Sequence, residues 1–299
     1  MLNNLEQVFE LGRKKEPKRL AVAAAHDVET LTAITKATQE GLIKPILIGN
    51  QTKIKEILIE MNAELLDYEI INELDNNEAA KLAVWLAKQN KVDCLMKGHL
   101  DTAEIIRAVV NKETGIAREG AIVSHVNVMS LEKYDKLVVL TDVAINIAPN
   151  FEEKQLILKN AVSVLRALGY EQPKVAAVCA IEKINPKMIE TVEASQLKEL
   201  NQRGIITDCL LEGPISFDIA MDKGRALRKY YKGQIKGDAD ILLMPNLLVG
   251  NLLSKGLGIF GEAKSIGLVM GAEVPVILTS RGALAEAKYQ GILGCLAIL

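Results

Sequence analysis

The sequence predicts an α/β protein built from doubly wound, mostly parallel sheets, and three observations carry that reading. Apolar residues make up 49% of the chain and are mainly Ala, Val, Ile and Leu, with aromatics at only 4%; such a composition suits helices packed on strands buried on both faces. Short apolar runs bounded by Gly, Pro or Asp alternate with longer stretches of helical period almost to the C-terminus, which is the rhythm of βαβ units. Small, amide and charged residues cluster just beyond the apolar runs, where open α/β sheets bind ligands.

Taken in order, the expected strands are Leu20–Ala25, Pro45–Ile48, Val92–Met96, Ala121–Met129, Leu137–Thr141, Val175–Ala180, Ile205–Leu211, Ile241–Met244, Ser265–Met270 and Val276–Thr279. Between them, Asp101 with Glu104 and Asn150 with Glu153 each place an N-cap three residues before a carboxylate, the spacing of a capping box. Asn185-Pro186 predicts an N-cap followed by Pro at the first helical position. Gly41, Gly169 and Gly204 follow periodic stretches, where a helix end needs positive φ. A length of 299 residues suggests about two domains, but no low-complexity linker or repeat marks a boundary between them. Gly256, Gly258 and Gly261 satisfy G-x-G-x-x-G inside what reads as a helix; a dinucleotide fingerprint opens the helix directly after a strand, so close helix packing is the expected role.

A formal charge of −2 from 36 basic and 38 acidic side chains leaves no global field for nucleic acid or an anionic membrane, so anion binding has to be local. No stretch approaches the roughly 18 apolar residues of a membrane span, and the first twenty or so residues lack a long apolar core. A cytoplasmic protein that binds neither nucleic acid nor membrane is expected. Cys94, Cys179, Cys209 and Cys295 are widely spaced and predict buried small hydrophobes rather than disulfides or zinc ligands. His26, His99 and His125 are likewise unclustered in sequence, and no metal site is expected.

The residues beyond the strands hold the chemistry. Lys97-Gly98 is followed by Asp101-Thr102 and Arg107; Thr141-Asp142 by Asn146; Glu212-Gly213-Pro214 by Asp218; Pro245-Asn246 by Asn251 and Lys255; Thr279 by Ser280-Arg281. Caps and turns account for Ser, Thr, Asp, Asn and Gly at such junctions. They do not account for Lys97, Arg107 and Arg281, cations that suit a phosphate-bearing ligand.

In this order the motifs Lys97-Gly98 to Thr102 and Arg107, Thr141-Asp142-Val143-Ala144-Ile145-Asn146, Gly213-Pro214-Ile215-Ser216-Phe217-Asp218, Pro245-Asn246 to Gly250-Asn251, and Leu278-Thr279-Ser280-Arg281 resemble the phosphate acetyl/butyryltransferase family over nearly the whole chain. The ending Pro-Val-Ile-Leu-Thr-Ser-Arg looks more like the butyryl branch. The resemblance implies two α/β domains with a cleft between them, similar to isocitrate and isopropylmalate dehydrogenases: residues 1–136 with 276–299, and 137–275. It also implies transfer of a butyryl or similar short acyl group between coenzyme A and inorganic phosphate by direct thiol attack on an acyl phosphate. Coenzyme A is then a substrate, no cofactor is tightly bound, acyl-CoA, phosphate and acyl phosphate are the partners, and a homodimer or higher homo-oligomer is expected. Acetyl transfer, a non-catalytic relative that binds coenzyme A or acyl phosphate, and a dehydrogenase of the related fold are the alternatives. By resemblance Ser280 and Arg281 are catalytic, while Lys97, Gly98, Thr102, Arg107, Asp142, Asn146, Gly213, Asp218, Asn246, Asn251 and Lys255 bind substrate. Departures are present: Ala287 occupies the position of the acetyl branch's catalytic Asp, which makes Glu286 the nearest candidate base. Asn246, Leu248 and Ser254 stand where many relatives carry Asp, Glu and Tyr.

Overall fold

The structure, a computed structural model, describes residues 2–299. The elements in chain order are α1 (Leu5–Arg13), β1 (Lys18–Ala23), α2 (Val28–Gln39), β2 (Ile43–Gly49), α3 (Gln51–Glu60), β3 (Glu69–Asn72), α4 (Asn76–Lys88), β4 (Cys94–Lys97), α5 (Thr102–Val109), β5 (Ser124–Ser130), β6 (Val138–Thr141), α6 (Phe151–Ala167), β7 (Lys174–Cys179), α7 (Ile189–Gln202), β8 (Leu210–Ser216), α8 (Phe217–Met221), α9 (Lys223–Arg228), β9 (Ile241–Leu243), α10 (Leu247–Phe260), β10 (Lys264–Met270), β11 (Val276–Ile277) and α11 (Ala285–Ile298). Contacts divide the chain into a terminal unit, Val8–Val123 with Ile266–Leu299, and a central unit, Met1–Gln7 with Ser124–Ser265. These divisions fall earlier than the boundaries expected at 136 and 275. The first keeps the antiparallel pair β5–β6 in the central unit, and the second passes through the start of β10 but keeps its paired residues, Leu268 and Val269, with β11 in the terminal unit.

In the terminal unit the strand order is β3-β2-β1-β4-β11-β10, parallel throughout except for the β10–β11 pair. The chain runs outward from β1 through β2 to β3, then returns to lay β4 on the other side of β1. The carboxyl ends of β1 and β4 therefore meet at a topological switch point. Leu20, Val22, Leu47, Ile48, Leu95 and Met96 are fully buried, as strands covered on both faces require.

The central unit has the order β5-β6-β9-β7-β8, parallel except for β5 against β6. Its core joins Val138, Leu140, Ala176, Ile215 and Leu242. The expected strand at 205–211 is displaced: β8 begins only at Leu210 and runs through Gly213-Pro214 to Ser216. A proline lacks a donor for the ladder, but β8 is an edge strand and has a free side to tolerate it. Glu212, Gly213 and Pro214 thus lie within a strand rather than beyond its end. β3 was not among the expected strands, because it is an edge strand whose four residues are exposed or only partly buried and carry no long apolar run.

The capping boxes form as the spacing predicts. Asn150 N–H donates to Glu153 Oε2 at 2.8 Å and Glu153 N–H to Asn150 Oδ1 at 2.9 Å, while Asp101 N–H donates to Glu104 Oε2 at 2.6 Å. Gly41, Gly169 and Gly204 have φ of 70, 90 and 70°. Asn185-Pro186 does not open its helix. α7 starts at Ile189, and the Asn185 side chain instead accepts from Lys187 N–H at 3.0 Å, closing a turn ahead of it.

Candidate active site

The terminal unit gathers its chemistry at and beyond the carboxyl ends of the neighbouring strands β1, β4 and β11. Lys97 ends β4 and is only 1% exposed. Its ammonium donates to Leu100 O at 2.9 Å. Burial, reinforced by the charges of Lys288 and Arg281, pushes it down to about 8, against the pull of Asp101 and Asp27. Gly98 follows where β4 passes the end of β1: its N–H donates to Ala23 O at 2.9 Å, and a Cβ there would lie 2.3 Å from Ala24 O. Only glycine permits that approach of two backbones. Asp27 caps α2 by accepting from Thr30 N–H at 2.9 Å through Oδ1, and its buried Oδ2 has no partner.

Beyond β11, Thr279 is half-buried with an unpartnered hydroxyl, and Ser280 and Arg281 are exposed. Ser280 is not a helix cap, because α11 begins at Ala285 with Leu284 in the cap position. Ser280 O instead accepts from Ala283 N–H at 3.1 Å, turning the chain. The Arg281 guanidinium pairs with the Asp101 carboxylate, both well exposed, so the pair is weak enough for an incoming anion to exchange. Thr102, half-buried, is the first residue of α5, and Arg107 sits exposed in its last turn.

Glu286 lies 3.2 Å from Lys36 with its side chain 61% exposed, and it accepts from Gln290 Nε2 at 3.1 Å. A solvated, ion-paired carboxylate is poorly placed to take a thiol proton. Glu286→Gln is expected to leave kcat within about threefold of wild type, as steady-state thiol release will measure.

In the central unit the predicted polar residues mainly organise backbone. Asp142, 3% exposed, accepts from Ala144 N–H at 2.8 Å, Ile145 N–H at 3.1 Å and Asn146 Nδ2 at 2.6 Å. This folds the loop after β6 around one carboxylate. Asn246 caps α10 through Val249 N–H at 3.1 Å, and Asn251 Nδ2 donates to Val143 O at 3.0 Å. Asp218 accepts from Ser216 Oγ at 2.7 Å and Lys229 Nζ at 3.1 Å, and those two hydrogen bonds hold its carboxyl below the usual range. Lys255 is exposed on α10. Gly213 serves packing: a Cβ there would lie 2.8 Å from Ala177 Cβ and 3.1 Å from Ala194 Cβ, between β7 and α7.

Two features escaped the sequence reading. Lys288 of α11 is 1% exposed, yet an isolated lysine on an apolar helix carries no signal of its destination. His26 and His99, distant in sequence, place their rings 6.2 Å apart edge to face, because each follows a strand at the switch point. The G-x-G-x-x-G glycines also correct an expectation: Gly256 and Gly258 face open space rather than a packed neighbour. The four cysteines are free and buried, as expected. Among the described residues no helix is long and apolar enough to cross a membrane, and no group of three or more His, Cys, Asp or Glu could hold a metal ion.

Known proteins agree with this architecture. The model of a family described as phosphate acetyl/butaryl transferase matches residues 4–83 and 67–294. A phosphate butyryltransferase of Clostridium acetobutylicum is 40% identical over 292 residues, 98% of this chain and 97% of its own length. A phosphate acetyltransferase of Thermotoga maritima is 35% identical over 288 residues, covering 96% and 97%. Among solved structures, a branched-chain phosphotransacylase from Enterococcus faecalis V583 superposes with a TM-score of 0.80 at 30% identity, over 94% of this chain and 98% of that one. With a family match spanning most of its length and relatives that run from end to end, the chain belongs to the phosphate acetyl/butyryl transferase family.

Proposed function

We propose that this protein is a phosphate acyltransferase that moves a butyryl or similar short acyl group between coenzyme A and inorganic phosphate. The observation that carries the reading is the near full-length match at 40% identity to a phosphate butyryltransferase. The cations Lys97 and Arg281, at and beyond the ends of the paired strands β4 and β11, support it. In the synthetic direction the coenzyme A thiol attacks the carbonyl of the acyl phosphate. The new C–S bond forms, the C–O bond to phosphate breaks, and the thiol proton leaves with the departing phosphate. An unperturbed thiol has a pKa of about 8.5 and is only a few per cent ionised at neutral pH, so a cationic surrounding that favours thiolate assists attack. Arg281 and Arg107 supply forked donors for the phosphoryl group, and Ser280 a donor for the tetrahedral oxyanion. Thr102, Asn146, Asn246, Asn251 and Lys255 are assigned to substrate contacts, with Gly98 giving the backbone approach and Asp142 and Asp218 ordering loops around them. Self-association is supported by α10, where Leu248, Leu252, Ile259 and Phe260 are 66, 63, 71 and 89% exposed.

The test is phosphate-dependent thiol release from butyryl-CoA and, in parallel, acetyl-CoA. Faster release from butyryl-CoA is the expected result. Faster release from acetyl-CoA would favour acetyl transfer, and binding of coenzyme A without release from either would overturn the catalytic reading.

A further inference from the structure

We propose that Lys288 of α11 and Lys97 at the end of β4 together form a buried receptor for a phosphoryl group of the substrates, a role that rests on the acyltransfer reading above. Both lysines are 1% exposed. Lys97 donates to Leu100 O at 2.9 Å and reaches Gly98 O at 3.5 Å, which leaves one N–H to spare, and the Lys288 ammonium has no hydrogen-bond or ion-pair partner among the described residues. A buried ammonium without an acceptor is disfavoured by several kcal/mol, and two neighbouring ones repel each other as well. The arrangement is completed by an anion that accepts from both.

The surroundings fit that occupant. Lys97 follows the β1–β4 switch point, the place where sheets of this topology bind ligands. Thr279 Oγ1, at the carboxyl end of β11, is buried without a partner, as is His26 Nδ1 just past β1. α11 is packed against that end, since a Cβ on Gly291 would lie 3.5 Å from the Thr279 methyl. Asp27 offers its buried, unpartnered Oδ2. Its field favours the charged form of both lysines, as that of Glu29 does for Lys288, although burial holds Lys288 below its ordinary value. The carboxylates thus help keep the ammonium groups charged without occupying them.

Lys288→Met tests the assignment, because methionine fills the same volume without charge. In phosphate-free and sulfate-free buffer the variant should melt no lower than wild type, whereas a lysine serving only as a structural partner of Asp27 would lower Tm on removal. Saturating inorganic phosphate should raise the wild-type Tm by about 5 °C and leave that of Lys288→Met unmoved. KM for phosphate in thiol release should rise about tenfold to a hundredfold, with Lys81→Met, a surface change, as the unaffected control. A parallel melt with coenzyme A separates the sources. Loss of protection by inorganic phosphate assigns the site to the transferred phosphoryl group, and loss of protection by coenzyme A alone assigns it to a phosphate of that substrate. Retention of both protections with KM unchanged overturns the proposal. A wild-type protein that releases no thiol would defeat the acyltransfer reading separately, leaving the melts to judge the anion site.

Discussion

Arg281→Ala lowers kcat/KM for phosphate-dependent thiol release by about a hundredfold to a thousandfold, the scale for removing one charged donor aimed at developing negative charge. The guanidinium is close to the buried Lys97 ammonium, whose proton affinity it depresses, and its present partner is the exposed carboxylate of Asp101. An exposed pair of this kind contributes at most about 1 kcal/mol to stability, so Arg281→Ala should fold normally. The loss is then attributable to chemistry. Arg281→Lys separates charge from geometry: a lysine restores the charge but not the two parallel N–H donors, so it should recover only part of the activity. Equal activity of Arg281→Ala and wild type in initial-rate assays would remove Arg281 from the site.

The fold was legible where period and capping chemistry act locally. The buried parallel strands of both units stood out as apolar runs, and the boxes at Asp101 and Asn150 announced their helices. Misplacements arose where tertiary position decides. β3 and β8 are each edge strands, so one lacks a buried run and the other can carry Pro214, an apparent strand breaker. Lys97 and Arg281 stood out in the sequence because no cap or turn requires a cation there, and the structure sets them at and beyond the ends of the paired strands β4 and β11. Lys288 did not stand out, because burial of a lysine is a property of the assembled sheet and helix rather than of its neighbours in sequence. For Glu286 the sequence offered proximity to Arg281 along the chain, but the turn at Ser280 and the start of α11 send its carboxylate toward Lys36 on α2.

The buried charge of Lys97 should also be visible in stability without any substrate. An unfolded lysine titrates near 10.5, whereas in the folded protein Lys97 titrates at about 8. Between these values the unfolded chain binds more protons than the native one, and that difference makes native stability rise with pH. Below pH 8 both states carry the proton and the full penalty for the buried charge applies; above about 10.5 neither does and the penalty is gone. A shift of this size corresponds to on the order of 3 kcal/mol. The wild-type profile alone would hide it, because Cys209, raised to about 11 by burial, and Cys179, raised to about 12, act in the opposite sense as unfolded thiols ionise. The measurement is therefore a difference: denaturant unfolding of wild type and Lys97→Met in phosphate-free buffer from pH 7 to 10.5. The stability advantage of Lys97→Met over wild type should shrink by on the order of 3 kcal/mol across that range. A constant difference would mean that Lys97 keeps an ordinary proton affinity, and therefore that its ammonium is neither desolvated nor crowded by the cations around it.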